Sequence, residues 1–284
     1  MTKVVNQFIT ENCFTHYFKV NSLLNRYTTS NKFLRLQSKT KKITLASNLK
    51  KGHHTLIIQK RTEGKEGMLT FTSFCTDGTF SQARSIKERT IEFIGDSYTC
   101  GYGTESSSKH DKFLAETENC NLTYAAISGR YFDADIVHIS HSGRGIVRNY
   151  NSIDPGETMV KKYDQTFDEV DSLKWEASGF TPDIVVIYLG TNDFSKNLQP
   201  SLTSWSREYK KLLTMIRQNY GEEVPILCVA SKASRLMGDY RLGYAVQALR
   251  ITAPSNIDEI RLTKSVSLFS YSVNDFILLF SPLP

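Results

Sequence analysis

The sequence predicts an α/β protein in two parts. A short β-sandwich-like domain is expected over residues 1–88, and an α/β/α domain with a parallel sheet over residues 89–284. Three observations carry this. Before residue 90 apolar residues alternate with a period of two between closely spaced turns, the pattern of antiparallel strands. Beyond it, apolar runs stand far apart with helical stretches between them, the pattern of a parallel sheet covered by helices. Charge divides at the same place: residues 1–90 hold 16 Lys and Arg against 5 Asp and Glu, and the remainder 19 against 24.

The elements follow in order. The first part offers the strands "FLRLQS" (33–38), "KITLAS" (42–47), "HTLIIQKR" (54–61) and "MLTFTSFCT" (68–76), separated by the turn-like "SKTK", "LKKG" and "TEGKEG". The second offers "TIEFIG" (90–95), "ADIVHIS" (134–140), "PDIVVIYLG" (182–190), "VPILCVAS" (224–231) and "IDEIRLTKS" (257–265). Its clearest helix lies in residues 201–221, where Leu202, Trp205, Tyr209, Leu212, Leu213 and Ile216 share one face. Ser201 is placed to cap its start and Gly221 to end it.

Composition narrows the function classes. A chain of 284 residues with 40% hydrophobic and 23% charged residues has the make-up of a folded soluble protein. Its longest apolar run, "FILLF", falls far short of the ~20 residues of a spanning helix. The start, "MTKVVNQFITENCF", lacks the pattern of an export signal. Five cysteines without metal-ligand spacing are expected to be thiols, although spacing alone leaves one bridge, for instance Cys100–Cys120, open. The basic clusters "KTKK" and "LKKGHH" lack aromatic interleaving and read as solvated strand and turn faces, so no nucleic acid is expected. His138 and His141 are three apart on one strand and point to opposite faces, as do His53 and His54, so no metal is expected. "GYGTES" lacks the Gly-Lys-Ser/Thr ending of a phosphate loop, and no cofactor is expected.

In parallel sheets chemistry collects at the carboxyl ends of the strands. The first strand of the second part ends in "GDSYTCGYG", the second in "SHSGRG" (140–145) and the third in "LGTND" (189–193). Each by itself is an ordinary turn. Three in order, each at the correct end of its strand, resemble the SGNH (GDSL-type) hydrolases. The resemblance makes Ser97 the nucleophile and gives the oxyanion hole to Ser97, Gly143 and Asn192. The chemistry fits: ester hydrolysis builds negative charge on the carbonyl oxygen, and each fixed donor beside it is worth ~3–4 kcal/mol of barrier.

A closer resemblance rests on "GHHTLIIQKRTEGKEGMLTFTSF" running into "IEFIGDSYTCGYG", followed by "SGRG" and "GTNDF". Over roughly residues 30–270 the chain is similar to the second family of carbohydrate esterases, which join a jelly roll to an SGNH domain and remove acetyl groups from polysaccharides such as xylan. The resemblance implies an acetylated polysaccharide or oligosaccharide as partner; no membrane and a monomeric chain are also expected. It also implies export, for which this chain shows no signal.

The departures are specific. Tyr98 replaces the Leu of the motif. The family's jelly roll has more strands than residues 1–90 hold, so its first strands are expected to be absent. The family's closing Asp-x-x-His block is matched only by Asp275, with Leu278 in the histidine position, and no histidine follows His141. "FILLFSPLP" then points to a truncated or frame-shifted product. A serine needs a base, and losing the base histidine costs about 10⁶ in kcat in a well-studied serine hydrolase. His141 and His110 lie near enough in sequence to be considered, but read as a strand-end and a loop histidine, so no catalytic histidine is found. The sequence therefore predicts an impaired carbohydrate O-deacetylase. The alternative is a catalytically silent carbohydrate-binding protein or a non-functional fragment.

Overall fold

The computed structural model describes residues 16–24, 27–36, 44–49, 51–52, 54–67, 73–80, 87–108, 110–153, 156–167, 170–175, 181–195, 199–231, 261–264 and 275–280. The chain divides into two units. One is Met1–Ile86 with Gly101–Asn121, the other Lys87–Cys100 with Leu122–Pro284. Nothing in the sequence periodicity marks Gly101–Asn121 as an excursion.

The first unit holds an antiparallel sheet in the order β2-β1-β3, built from β1 (His16–Leu24), β2 (Tyr27–Leu36) and β3 (Thr55–Lys60). β3 is the expected 54–61 segment, β2 shares only residues 33–36 with the expected 33–38 segment, and β1 was not expected. The expected strand at 42–47 is corrected over its described part: Thr44–Leu49 forms no strand and is almost all exposed, so alternation here does not mark a half-buried strand, while 42–43 lie outside the described residues. The segment 68–72 lies outside the described residues, and 73–76 is not strand.

Beyond β3 the "KRTEG" turn is buried at Arg61, Thr62 and Glu63. The Arg61 guanidinium pairs with Glu105 and donates to the Glu118 carbonyl at 3.1 Å, while the Cys120 amide donates to the Arg61 carbonyl at 3.0 Å. One buried arginine thus fastens Gly101–Asn121 to the end of β3. The Glu118 carboxyl is fully buried, and burial, then the neighbouring Glu63 carboxylate, push its pKa up to about 8.

The second unit is built on a six-stranded sheet in the order β10-β11-β9-β8-β4-β5. Its members are β4 (Arg89–Gly95), β5 (Ala134–Ser140), β8 (Ile184–Tyr188), β9 (Ile226–Ser231), β10 (Arg261–Lys264) and β11 (Asp275–Phe280). The four strands β5, β4, β8 and β9 are parallel, as expected. β11 runs antiparallel to both β9 and β10, so the run "FILLF" is a paired strand, which was not among those expected. A small hairpin, β6 (Gln165–Phe167) and β7 (Val170–Lys174), was not expected either.

Alternation along the strands sorts the core onto two faces. Ile94, Val185 and Ile187 pack with Met159 of α3 (Met159–Lys162) and with Trp205, Leu212 and Ile216 of α4 (Leu202–Tyr220). Phe93 and Val186 pack with Ala125 of α2 (Tyr124–Tyr131) on the opposite face. This is the three-layer arrangement. The Ser201 hydroxyl caps α4 by accepting from the Ser204 amide at 3.1 Å, a contact worth ~1 kcal/mol, and Gly221 ends it with φ +82°. Glu92, fully buried in β4, accepts from the hydroxyls of Tyr163 and Tyr220, while burial raises its pKa. Among the described residues no helix is long and apolar enough to cross a membrane.

Candidate active site

The carboxyl end of β4 runs directly into α1 (Ser97–Cys100), a single helical turn. Asp96 makes that turn. Its carbonyl accepts from the amides of Thr99 at 2.9 Å and Cys100 at 3.0 Å, and its Oδ1 accepts from the Tyr98 amide at 3.1 Å. The turn brings Ser97 out of the sheet at the strand end, half-buried beside buried Asp96.

The end of β5 supplies the next group. The His141 amide donates to the Gly95 carbonyl at 3.3 Å, which carries the β4–β5 ladder one step past the strand. Gly143 follows with φ +79°, a conformation that side chains strain to adopt, and its carbonyl accepts from the Tyr150 amide at 2.8 Å. The end of β8 supplies the third. The Asn192 side chain, buried, donates through Nδ2 to Asp96 Oδ2 at 3.2 Å and to the Arg144 carbonyl at 2.7 Å. One amide therefore ties the Ser97 turn to the loop that holds Gly143, and the three sequence-predicted residues lie on segments joined at a single point.

Sequence reasoning passed over the group that holds this together. Asp193 is 0% exposed, and its carboxylate accepts from three successive amides: Ile146 at 2.9 Å, Val147 at 2.7 Å and Arg148 at 3.1 Å. Burial pushes its pKa up to about 6 against the pull of those three donors. Arg148, also buried, reaches back through Nη1 to the carbonyls of Asp193 at 2.6 Å and Ser195 at 3.2 Å. Gly145 leaves room for the contact: a Cβ there would stand 2.1 Å from the Arg148 carbonyl oxygen and 2.4 Å from Asp193 Oδ2.

His141 is buried, with Nδ1 at 3.0 Å from the Ser142 carbonyl. His110 is exposed and belongs to the other unit. Burial lowers the His138 pKa to about 4, which keeps it neutral on β5. Leu278 sits within β11, opposite Cys228 of β9 and Leu262 of β10. Cys75, Cys100, Cys120 and Cys228 are all thiols.

Comparison with known proteins agrees with this geometry. Residues 91–275 match the GDSL-like lipase/acylhydrolase family, and residues 28–83 match the carbohydrate esterase 2 N-terminal domain. A cellulase/esterase CelE of Acetivibrio thermocellus is 38% identical over 191 residues, which cover 67% of this chain and 23% of that protein. An acetylxylan esterase/glucomannan deacetylase of Cellvibrio japonicus is 37% identical over 164 residues, covering 57% of this chain and 45% of that protein. The chain thus spans less than half the length of these relatives. A solved family two carbohydrate esterase from Clostridium thermocellum, in complex with cellohexaose, superposes with a TM-score of 0.75 at 31% identity, covering 85% of this chain and 74% of that one. The strand-end motifs, the parallel sheet and these matches together show that the chain belongs to the GDSL-like lipase/acylhydrolases and, among them, to the family 2 carbohydrate esterases.

Proposed function

We propose that this chain receives an acetylated polysaccharide or oligosaccharide at the carboxyl ends of β4, β5 and β8, and that its reaction class is carboxylic-ester hydrolysis. The observation that carries this is the Asn192 amide, which bonds both Asp96 beside Ser97 and the carbonyl next to Gly143. On this reading the domains are a partial jelly-roll-like module over residues 1–88 and a hydrolase domain over residues 89–284. The relatives' names, an acetylxylan esterase/glucomannan deacetylase among them, and the cellohexaose in the solved relative support a β-linked glycan as partner.

Ser97 Oγ would attack the acetyl carbonyl carbon. The charge then leaving the C=O bond falls on an oxygen held by the Ser97 and Gly143 amides and by Asn192 Nδ2. Both Nδ2 hydrogens already have acceptors, so Asn192 serves by releasing the longer contact, that to Asp96. Collapse of the intermediate expels the sugar oxygen, which needs a proton, and Ser97 must first lose one. A base close to Ser97 does both in a complete site.

By the family resemblance, Leu278 stands in this chain where that base is expected. A second reading follows from it: the site binds glycan without turning it over. Acetate release from acetylated xylan and from acetylated glucomannan, with Ser97→Ala as control, tests the chemistry. The expected rate for the chain as it stands is at most ~10³–10⁴-fold above water and close to that of Ser97→Ala. Enzyme-like turnover abolished in Ser97→Ala would refute the absence of a base, and His141→Ala and His110→Ala would then locate it.

A further inference from the structure

The residue after the candidate nucleophile is a tyrosine that the proposed chemistry does not use. Tyr98 is 48% exposed, and its ring lies on that of Tyr188 with centroids 5.7 Å apart and planes 29° apart. Tyr188 is the last residue of β8, where the register pairs it with Gly95 at the end of β4. That pairing fixes the lower ring beside the turn that carries Ser97 and Tyr98.

The support continues inward. Tyr188 meets Tyr124 edge-on at 5.6 Å, and Tyr124 meets Phe93 edge-on at 5.6 Å. The Tyr124 hydroxyl lies 2.8 Å from Thr99 Oγ1, one residue beyond Tyr98, and the Tyr98 amide is held by Asp96. Four aromatic rings therefore run from the core between the sheet and α2 to the surface at Ser97. Lone exposed apolar residues are common and mean little. A ring backed in this way, next to the reacting group, is pre-organised, so little conformational entropy is lost when a ligand covers it.

We infer that Tyr98, on its Tyr188 support, is a specificity-determining platform for a pyranose ring of the glycan whose ester meets Ser97. The inference rests on the carbohydrate reading of the site. One face of a β-linked pyranose presents axial C–H groups, and these match the negative face of an aromatic ring. The leucine found in the related motif offers apolar bulk without such a face. Selection at Tyr98 therefore acts on the sugar ring, whereas the oxyanion donors act on the acetyl group.

Calorimetric titration of the full chain with cellohexaose and with acetylated xylo-oligosaccharides tests the platform, using wild type, Tyr98→Phe, Tyr98→Leu and Tyr98→Ala. Tyr98→Phe is expected to keep the wild-type Kd, and the Leu and Ala variants to raise it roughly five- to tenfold. Melting temperatures are expected to stay together, because the ring is half exposed; should Tyr98→Ala melt early, the Phe–Leu comparison decides. Equal affinity for wild type, Leu and Ala variants overturns the platform and leaves the carbohydrate reading standing. Absence of any sugar binding by wild type overturns both.

Discussion

Replacing Asp193 with asparagine tests whether the rim around Ser97 is held by one buried carboxylate. The exchange conserves shape, so no cavity opens and only hydrogen bonding changes. Asp193 Oδ1 takes the amides of Val147 and Arg148, and Oδ2 takes that of Ile146. Asparagine keeps one oxygen. Its best placement leaves that oxygen on Val147 and Arg148 and turns an NH₂ toward the Ile146 amide, donor against donor. Ile146 is fully buried, so its N–H finds no water in exchange.

One lost bond with a stranded donor costs ~1–3 kcal/mol, and loss of charge assistance on the other two adds about 1 kcal/mol each. The expected destabilisation is about 3–5 kcal/mol, large against a typical total of ~5–15 kcal/mol. Urea unfolding, followed through the buried Trp205, measures it. Amide hydrogen exchange gives the local signature: Ile146, Val147 and Arg148 should lose protection more than the Leu212–Ile216 turn of α4. A variant within about 0.5 kcal/mol of wild type, with unchanged protection at Ile146, would refute the clamp.

Two further outcomes follow from the same contacts. Gly145→Ala places a methyl group within 2.4 Å of both the Arg148 carbonyl and Asp193 Oδ2, so the loop must shift; a loss of ~1–3 kcal/mol or more in urea unfolding is expected, and a neutral effect would contradict the packing. Glu118→Gln addresses pH: the folded pKa of about 8 lies above the ordinary 4.5, so the stability this group contributes is complete below about pH 4.5 and is lost as pH rises toward 8, by ~1.4 kcal/mol per unit. The variant should therefore gain on wild type between those values, and parallel stability–pH curves would show that Glu118 is ionised throughout.

Much of the second unit was legible because its elements are defined by local pattern. α4 announces its cap, its face and its terminal glycine within 21 residues, and β4, β5, β8 and β9 are apolar runs of strand length. The misses have equally local causes. β1 carries Tyr17, Phe18, Val20, Leu23 and Leu24 on both parities, so alternation does not reveal it. Thr44–Leu49 alternates weakly yet stays almost all exposed and forms no strand. "FILLF" is apolar without a period, and only its pairing with β9 and β10 makes it a strand. Ser97, Gly143 and Asn192 could be picked out because they stand at strand ends. Asp193 could not, because its work is done on amides 45 to 47 residues earlier in the chain.

That contrast bears on how this site is expected to behave. Four sets of hydrogen bonds that tie the rim join residues between Asp96 and Ser195: Asp96 with Asn192, Asn192 with Arg144, Asp193 with Ile146 to Arg148, and Arg148 with Ser195. None depends on the segment around Leu278, where the family's base would stand. A change at Leu278 leaves these bonds in place, and on the proposed reading they are the bonds that hold the oxyanion donors. Donors and binding surface respond to the charge and shape of the ligand, whereas the base responds to a proton on Ser97. The first pair contributes to affinity as well as to rate; the second contributes to rate alone. A chain with Leu278 should therefore lose turnover far more than it loses affinity, so binding and acetate release have to be measured separately.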